Sequence, residues 1–194
     1  MSPWVAKAIT VVAIIALVVI PHRLHGQVSG ELKVVRSLKG PQEVVLLALL
    51  SFGFLLPILW IATPLIGFAD YALRPIPFIA GALCYAVGLW LLHRAHADLG
   101  ANWSISLEIR EGHQLVTRGI YRSIRHPMYL ALLLYSAGQA LVIPNWVAGP
   151  AYGVAFALLF ASRIGPEERM MRDEFGKEYE EYRTRSKRLI PGVW

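Results

Sequence analysis

The stretch HPMYLALLLYSAGQALVIPNWVAGPAYGVAFALLFASRIGPEER, residues 126–169, decides how the rest of the chain is arranged. It holds two apolar segments, about Met128 to Ile143 and about Trp146 to Ser162, with only Pro144 and Asn145 as a polar break between them. A connection that short folds the segments back as a tight helical hairpin. The outer ends of the hairpin then lie side by side. Arg125 and His126, which lead into the first segment, become neighbours of Arg163, Glu167 and Glu168, which follow the second. Uncompensated charge beside lipid is costly, so such groups pair with one another or with a polar ligand.

The surrounding chain explains why lipid is the medium to consider. Hydrophobic residues make up 56% of the 194 residues, and the mean hydropathy is +0.49. Both exceed what water-soluble domains carry. Three further apolar segments precede the hairpin: Pro3 to Ile20, about Val44 to Thr63 with a bend near Pro57, and about Pro75 to Leu92. The first has Lys7 ahead of its apolar run, as a signal peptide does. Pro21-His22-Arg23 follows it without a small-x-small cleavage pattern, which favours a retained span. The fourth segment is short for a full crossing, so its start is expected to be buried in protein rather than lipid.

The charges agree with five spans. Of the 19 Lys and Arg residues, all but Lys7 and Arg74 fall in three regions that an odd number of spans puts on one side. The positive-inside rule makes that side, and the C-terminus, cytoplasmic. In a prokaryote the membrane would be the plasma or inner membrane, and in a eukaryote the endoplasmic reticulum. The expected fold is an all-α integral membrane protein of about five transmembrane helices. Residues 1–194 form one membrane domain, with the first three spans in 1–92. Residues 93–194 hold the functional core: a pocket-forming loop at 93–127, the hairpin at 128–162 and a helical tail at 163–194.

Several function classes are excluded or weakened. The net charge of +6 suits nucleic acid in principle, but no nucleic-acid-binding motif is present and the charges flank apolar segments. A lone cysteine, Cys84, allows neither an internal disulfide nor a cysteine zinc site. His93 and His96 are three apart, yet no third ligand is evident, so no metal is expected. Neither a P-loop nor GxGxxG occurs. In the tail, Met171, Phe175, Tyr179 and Tyr182 recur at helical spacing, which predicts an amphipathic helix lying on the membrane or on the body of the protein. Gly176 is a candidate interruption, and Lys187 and Arg188 are candidates to meet lipid phosphates.

Two blocks carry a resemblance. GHQLVTRGIYRSIRHPMY (112–129) and RIGPEERMMRDEFGKEYEEY (163–182), with the hairpin between them, resemble the isoprenylcysteine carboxyl methyltransferase family. The features are H-x-L-V-x-x-G-x-Y-x-x-x-R-H-P-x-Y, then R-x-x-x-E-E, then F-G-x-E-Y-x-x-Y. The likeness covers about residues 95 to 194. It implies a membrane methyltransferase that uses S-adenosyl-L-methionine. Carried over by position, the cofactor contacts are His113, Gln114, Leu115, Val116, Tyr121, His126, Pro127, Met128, Tyr129 and Glu167. Arg163 meets the substrate carboxylate and shares the catalytic role with Glu167. Ser106 stands where eukaryotic members place another polar contact, but it differs in type and is not carried over. The implied substrate is a lipophilic carboxylate, such as a C-terminal isoprenylcysteine, that enters from the bilayer.

The chemistry of the residues is compatible with this. A carboxylate acceptor is already ionised at neutral pH and needs no general base. An arginine orients it by a bidentate pair. A phospholipid or amine N-methyltransferase is the alternative reading, but an ammonium acceptor must lose a proton and Arg163 repels it. A thiol acceptor is tolerated. A lipid-binding platform would leave the His126, Arg163 and Glu167 grouping unexplained, and an NADPH-dependent reductase of sterol type would be set apart by its cofactor.

Overall fold

The computed structural model describes residues 3–25, 34–37, 40–100, 108–110 and 114–190. Five helices follow in chain order: α1 (Pro3–His25), α2 (Pro41–Ala62), α3 (Pro75–Leu99), α4 (Pro127–Val142) and α5 (Ala148–Arg185). Proline stands at the start of α2, α3 and α4. There its fixed φ fits the first helical turn and its missing N–H costs nothing. Among the described residues, α1, α2 and α3 are long and apolar enough to cross a membrane, and α4 is a shorter apolar helix. The helical, multi-span architecture expected from the apolar segments is what the chain forms, with one small strand pair added. Two short strands, β1 (Val34–Ser37) and β2 (Glu108–Arg110), pair antiparallel and join the α1–α2 and α3–α4 connections.

Three helices run beyond their expected segments, and the first is α1, which continues past Ile20 through Pro21 to His25. α3 continues seven residues past Leu92 to Leu99, so His93 to Leu99 extend a helix rather than open a loop. α5 does not stop at Ser162 but runs on into the charged tail to Arg185, broken only at Gly176 with φ 50° and ψ −120°. Helical hydrogen bonding is local and continues into water, whereas hydropathy marks only the lipid-facing part.

α4 sits between α3 and α5, with α2 on α5 and α1 against α3. The α3–α4 contact is close because Gly81 and Gly88 fall seven residues apart on one face of α3. A Cβ at Gly88 would come within 2.9 Å of the Ala131 carbonyl oxygen, and one at Gly81 within 2.8 Å of Leu141 Cβ. Small residues let membrane helices approach so that dispersion contacts accumulate. Tyr85, Tyr135, Tyr152 and Phe156 fill the centre, with ring centroids 4.9, 5.6 and 6.2 Å apart along that order.

One end of the bundle is tied by polar groups. Asn145, the hinge of the hairpin, is fully buried. Its Oδ1 accepts from the Val147 and Ala148 N–H groups at 2.9 and 2.8 Å, at the entry to α5. Its Nδ2 donates to Asp70 Oδ1 at 2.7 Å and to the Ile66 carbonyl at 2.8 Å. Trp60 Nε1 donates to the same Asp70 oxygen at 2.8 Å. Lys7 donates to the Ile61 carbonyl at 3.1 Å and lies 5.3 Å from the Trp60 ring. α1, α2, the loop before α3 and the hairpin turn are thus joined at the end opposite the charged segments. Asn145→Ala removes all four bonds and takes the acceptor from the Val147 and Ala148 N–H groups, and a buried unsatisfied group costs about 1–3 kcal/mol. Thermal unfolding in detergent is expected several degrees lower for this variant, and an unchanged midpoint would show that the cluster is not a structural tie.

Candidate active site

The other end of the bundle is built around the entry to α4. Gly119 to Arg122 form a 3-10 turn, anchored where Asp98 Oδ2 accepts the Ile120 N–H at 2.8 Å. Gly119 has φ 57°, and any Cβ there would strike the Asp98 carboxylate. The chain then turns at Ser123 and leads to His126, which precedes Pro127. This short run is bridged by the end of the tail. Arg125 N–H donates to the Lys187 carbonyl at 2.7 Å, His126 N–H to the Arg188 carbonyl at 3.0 Å, and Lys187 N–H to the Ser123 carbonyl at 3.0 Å. Tyr182 OH donates to the Tyr121 carbonyl at 2.6 Å.

Side chains complete the union. Glu168, with 4% of its side chain exposed, accepts from Arg125 Nε at 3.2 Å and from Arg188 Nη2 at 2.8 Å. It also faces His126 Nε2 at 3.5 Å. Arg125 Nη1 donates to the Ser186 carbonyl at 2.5 Å. Glu167, one residue earlier on α5, points elsewhere. Its carboxylate accepts from Tyr129 OH at 2.5 Å and faces His126 Nδ1 at 3.6 Å. Arg163, one turn before Glu167, pairs with Glu43 in the first turn of α2.

These residues enclose a cavity of about 340 Å³. Gln114, Leu115, Val116, Tyr121, His126, Pro127, Met128, Tyr129, Arg163 and Glu167 all line it. His113 and Ser106 lie outside the described residues. The roles of Glu167 and Glu168, which adjacency in sequence leaves open, separate by direction: Glu167 lines the cavity, and Glu168 holds the tail against the α4 entry. Of the two candidate metal histidines, His93 is exposed while His96 is buried and lines the cavity. The tail face carrying Tyr179 and Tyr182 is buried against the body, and both rings line the cavity. Arg188 turns inward to Glu168, not outward to lipid phosphates.

Sequence reasoning missed the apolar half of the lining. Leu17 and Pro21 of α1, Leu47 and Leu50 of α2 and Leu92 and Leu99 of α3 belong to it, and their composition is that of any membrane helix. Glu43 was also overlooked, though an acid at the start of an apolar helix was the signal that could have found it.

Electrostatics follows from the geometry. Burial pulls the His126 pKa down, but hydrogen bonding and charge attraction from Glu167 and Glu168 outweigh it and push it up to about 9. Burial raises both glutamates, and His126 reverses this for each, so both lie below the usual carboxylate range. His126 is therefore an imidazolium held between two carboxylates at neutral pH.

The geometry can be set beside known proteins. Residues 81–173 match the isoprenylcysteine carboxyl methyltransferase (ICMT) family model. That match takes in just under half of the chain. It is 36% identical over 115 residues to protein-S-isoprenylcysteine O-methyltransferase B of Arabidopsis thaliana, covering 58% of each chain. It is 30% identical over 117 residues to the Homo sapiens protein-S-isoprenylcysteine O-methyltransferase, covering 59% of this chain and 41% of that one. A solved structure of the eukaryotic intramembrane Ras methyltransferase ICMT superposes with a TM-score of 0.52 at 27% identity, over 79% of this chain and 53% of that one. The chain thus spans about half the length of the relatives it matches. The first family block, the hairpin and the start of the second block fall within the matched region.

The imidazolium sets a pH dependence. A group whose pKa is raised on folding contributes stability that is complete below its unfolded value of about 6.5 and is lost as pH rises through about 9. The thermal midpoint in detergent is expected to fall between those pH values, and His126→Gln to flatten the fall. An equal decline in both proteins would remove His126 as its source.

Proposed function

We propose that this chain is an S-adenosyl-L-methionine-dependent methyltransferase that methylates the carboxylate of a lipophilic acceptor at the membrane–water interface. One observation carries the reading. Residues of both family blocks line a single cavity whose remaining wall is mostly apolar side chains, drawn from all five helices. A polar cofactor and a lipid-tailed acceptor need such a two-natured site.

The residues fit the cofactor. Glu167 offers a carboxylate to its ammonium or ribose hydroxyls, and Tyr129 OH holds that carboxylate in place. The first turn of α4 has no side-chain cap, so its N–H groups suit an anionic end. Gln114, Leu115, Val116, Tyr121, Met128 and His113 complete the proposed contacts. Bound there, S-adenosyl-L-methionine supplies an electrophilic methyl group carried on a sulfonium.

The chain's own work is orientation and exclusion of water. Arg163 receives the acceptor carboxylate and directs one oxygen toward the methyl group, and proper alignment is worth orders of magnitude in rate. Leu47, Leu50, Phe156 and Leu159 hold the apolar tail and keep water out, which strengthens each charge interaction inside. No residue has to remove a proton. We further propose that residues 1–194 act as one membrane domain with the methyltransferase core in 93–194. The cavity then opens toward the cytosol, where the cofactor is present.

Detergent-purified protein with radiolabelled S-adenosyl-L-methionine tests the reaction. With N-acetyl-S-farnesylcysteine the product is expected to release volatile methanol on base treatment. Base-stable label on phosphatidylethanolamine instead would mean N-methylation. Arg163→Ala is expected to lower turnover by about a hundredfold or more while retaining cofactor binding, and Glu167→Ala to weaken cofactor binding. Unchanged kinetics in both would remove these assignments.

A further inference from the structure

Arg163 already holds a carboxylate. Glu43 forms an ion pair with its guanidinium across the α2–α5 contact, and both side chains are nearly enclosed, with 10% and 11% exposed. Glu43 belongs to the face of α2 that carries Leu47 and Leu50, at spacings of four and seven residues, and both leucines line the cavity. Arg163 occupies the matching position on α5, one turn beyond Leu159 and two beyond Phe156, which also line it. The ion pair therefore lies at one end of the apolar stripes along which a lipid tail would lie.

Glu43 has a second place to go. α2 begins at Pro41 with Gly40 as its N-cap, and no side chain caps that end. Glu43 is then the third helical residue, the position from which a glutamate reaches back to the N-cap backbone N–H. A carboxylate there is also favoured by the helix dipole. Rotation about its own side-chain bonds suffices to exchange Arg163 for the helix terminus. Two carboxylates on one guanidinium repel each other, so an arriving acceptor favours that exchange.

We propose that Glu43 is an internal stand-in for the acceptor's carboxylate: it occupies Arg163 in the acceptor-free enzyme and yields to a carboxylate-bearing amphiphile by turning to the α2 N-terminus. The inference rests on the proposed role of Arg163 as the acceptor's anchor. It makes Glu43 the residue that sets acceptor affinity and keeps Arg163 compensated between turnovers. Neutral amphiphiles, which offer nothing to Arg163, do not open the pair.

The test compares an acid with its own ester. Full-length protein in detergent, loaded with S-adenosylhomocysteine, is titrated with N-acetyl-S-farnesylcysteine and separately with its methyl ester, and binding is followed by tryptophan fluorescence. A site open about a tenth of the time binds about tenfold more weakly than one always open. Glu43→Gln is therefore expected to tighten the acid by about that factor and to leave the ester within about twofold. Glu43→Asp keeps the charge on a shorter side chain and is expected to fall between wild type and Glu43→Gln, which guards against a folding defect in the neutral variant. A general structural effect would move acid and ester together. The same acid-to-ester ratio in wild type and both variants, or weaker acid binding in Glu43→Gln, would overturn the proposal. Wild-type protein that shows the shift but makes no methyl ester would instead sink the reaction and leave the exchange standing. Methyl ester formation with an unchanged ratio would do the reverse.

Discussion

The Glu168 carboxylate is the interaction on which the site depends. Three cationic side chains from two distant segments converge on it: Arg125 and His126 at the α4 entry and Arg188 near the end of the chain. Its own helix, α5, supplies the fourth connection. With only 4% of the side chain exposed, the carboxylate is strongly bound to its partners, because removing one member of a buried cluster leaves uncompensated charge. Backbone bonds between residues 123–126 and 186–188 run beside it. Tail, α4 entry and α5 are thereby one unit, and the cavity has a fixed wall.

The division of labour between the two adjacent glutamates follows from helix geometry. Successive residues on an α-helix point about 100° apart, so one residue of the pair faces the tail and the other faces the cavity. His126 lies between them and makes the two directions electrostatically dependent on each other. Its imidazolium compensates Glu167 on the cavity side and Glu168 on the structural side.

The two ends of the bundle contrast in the same terms. At the end of the hairpin turn, Asn145 and Trp60 both donate to Asp70, and Lys7 donates to the Ile61 carbonyl beside them, leaving a tie. At the cavity end, the charged groups are distributed around a space large enough for ligands. α3 and α5 both extend past their apolar segments at this end, which raises the wall of the cavity above the lipid-facing part of the bundle.

Much of this was legible in the sequence. Apolar runs announced the helices, because the bilayer leaves the backbone few alternatives. Pro144-Asn145 announced the hairpin, and with it the meeting of His126 with Arg163 and Glu167. The residues carried over from the two motif blocks, where described, line one cavity. What the sequence left open was direction and partnership. Adjacency could not say which of Glu167 and Glu168 faces the ligand, nor that Arg188 turns inward. Hydropathy could not say that α3 and α5 outlast their apolar segments. No local pattern joined Glu43 to Arg163, 120 residues away. Helix formation and span length depend on near neighbours and on the solvent, so sequence alone determined them. Ion pairing depends on which helix faces pack together, and only the tertiary structure decided that.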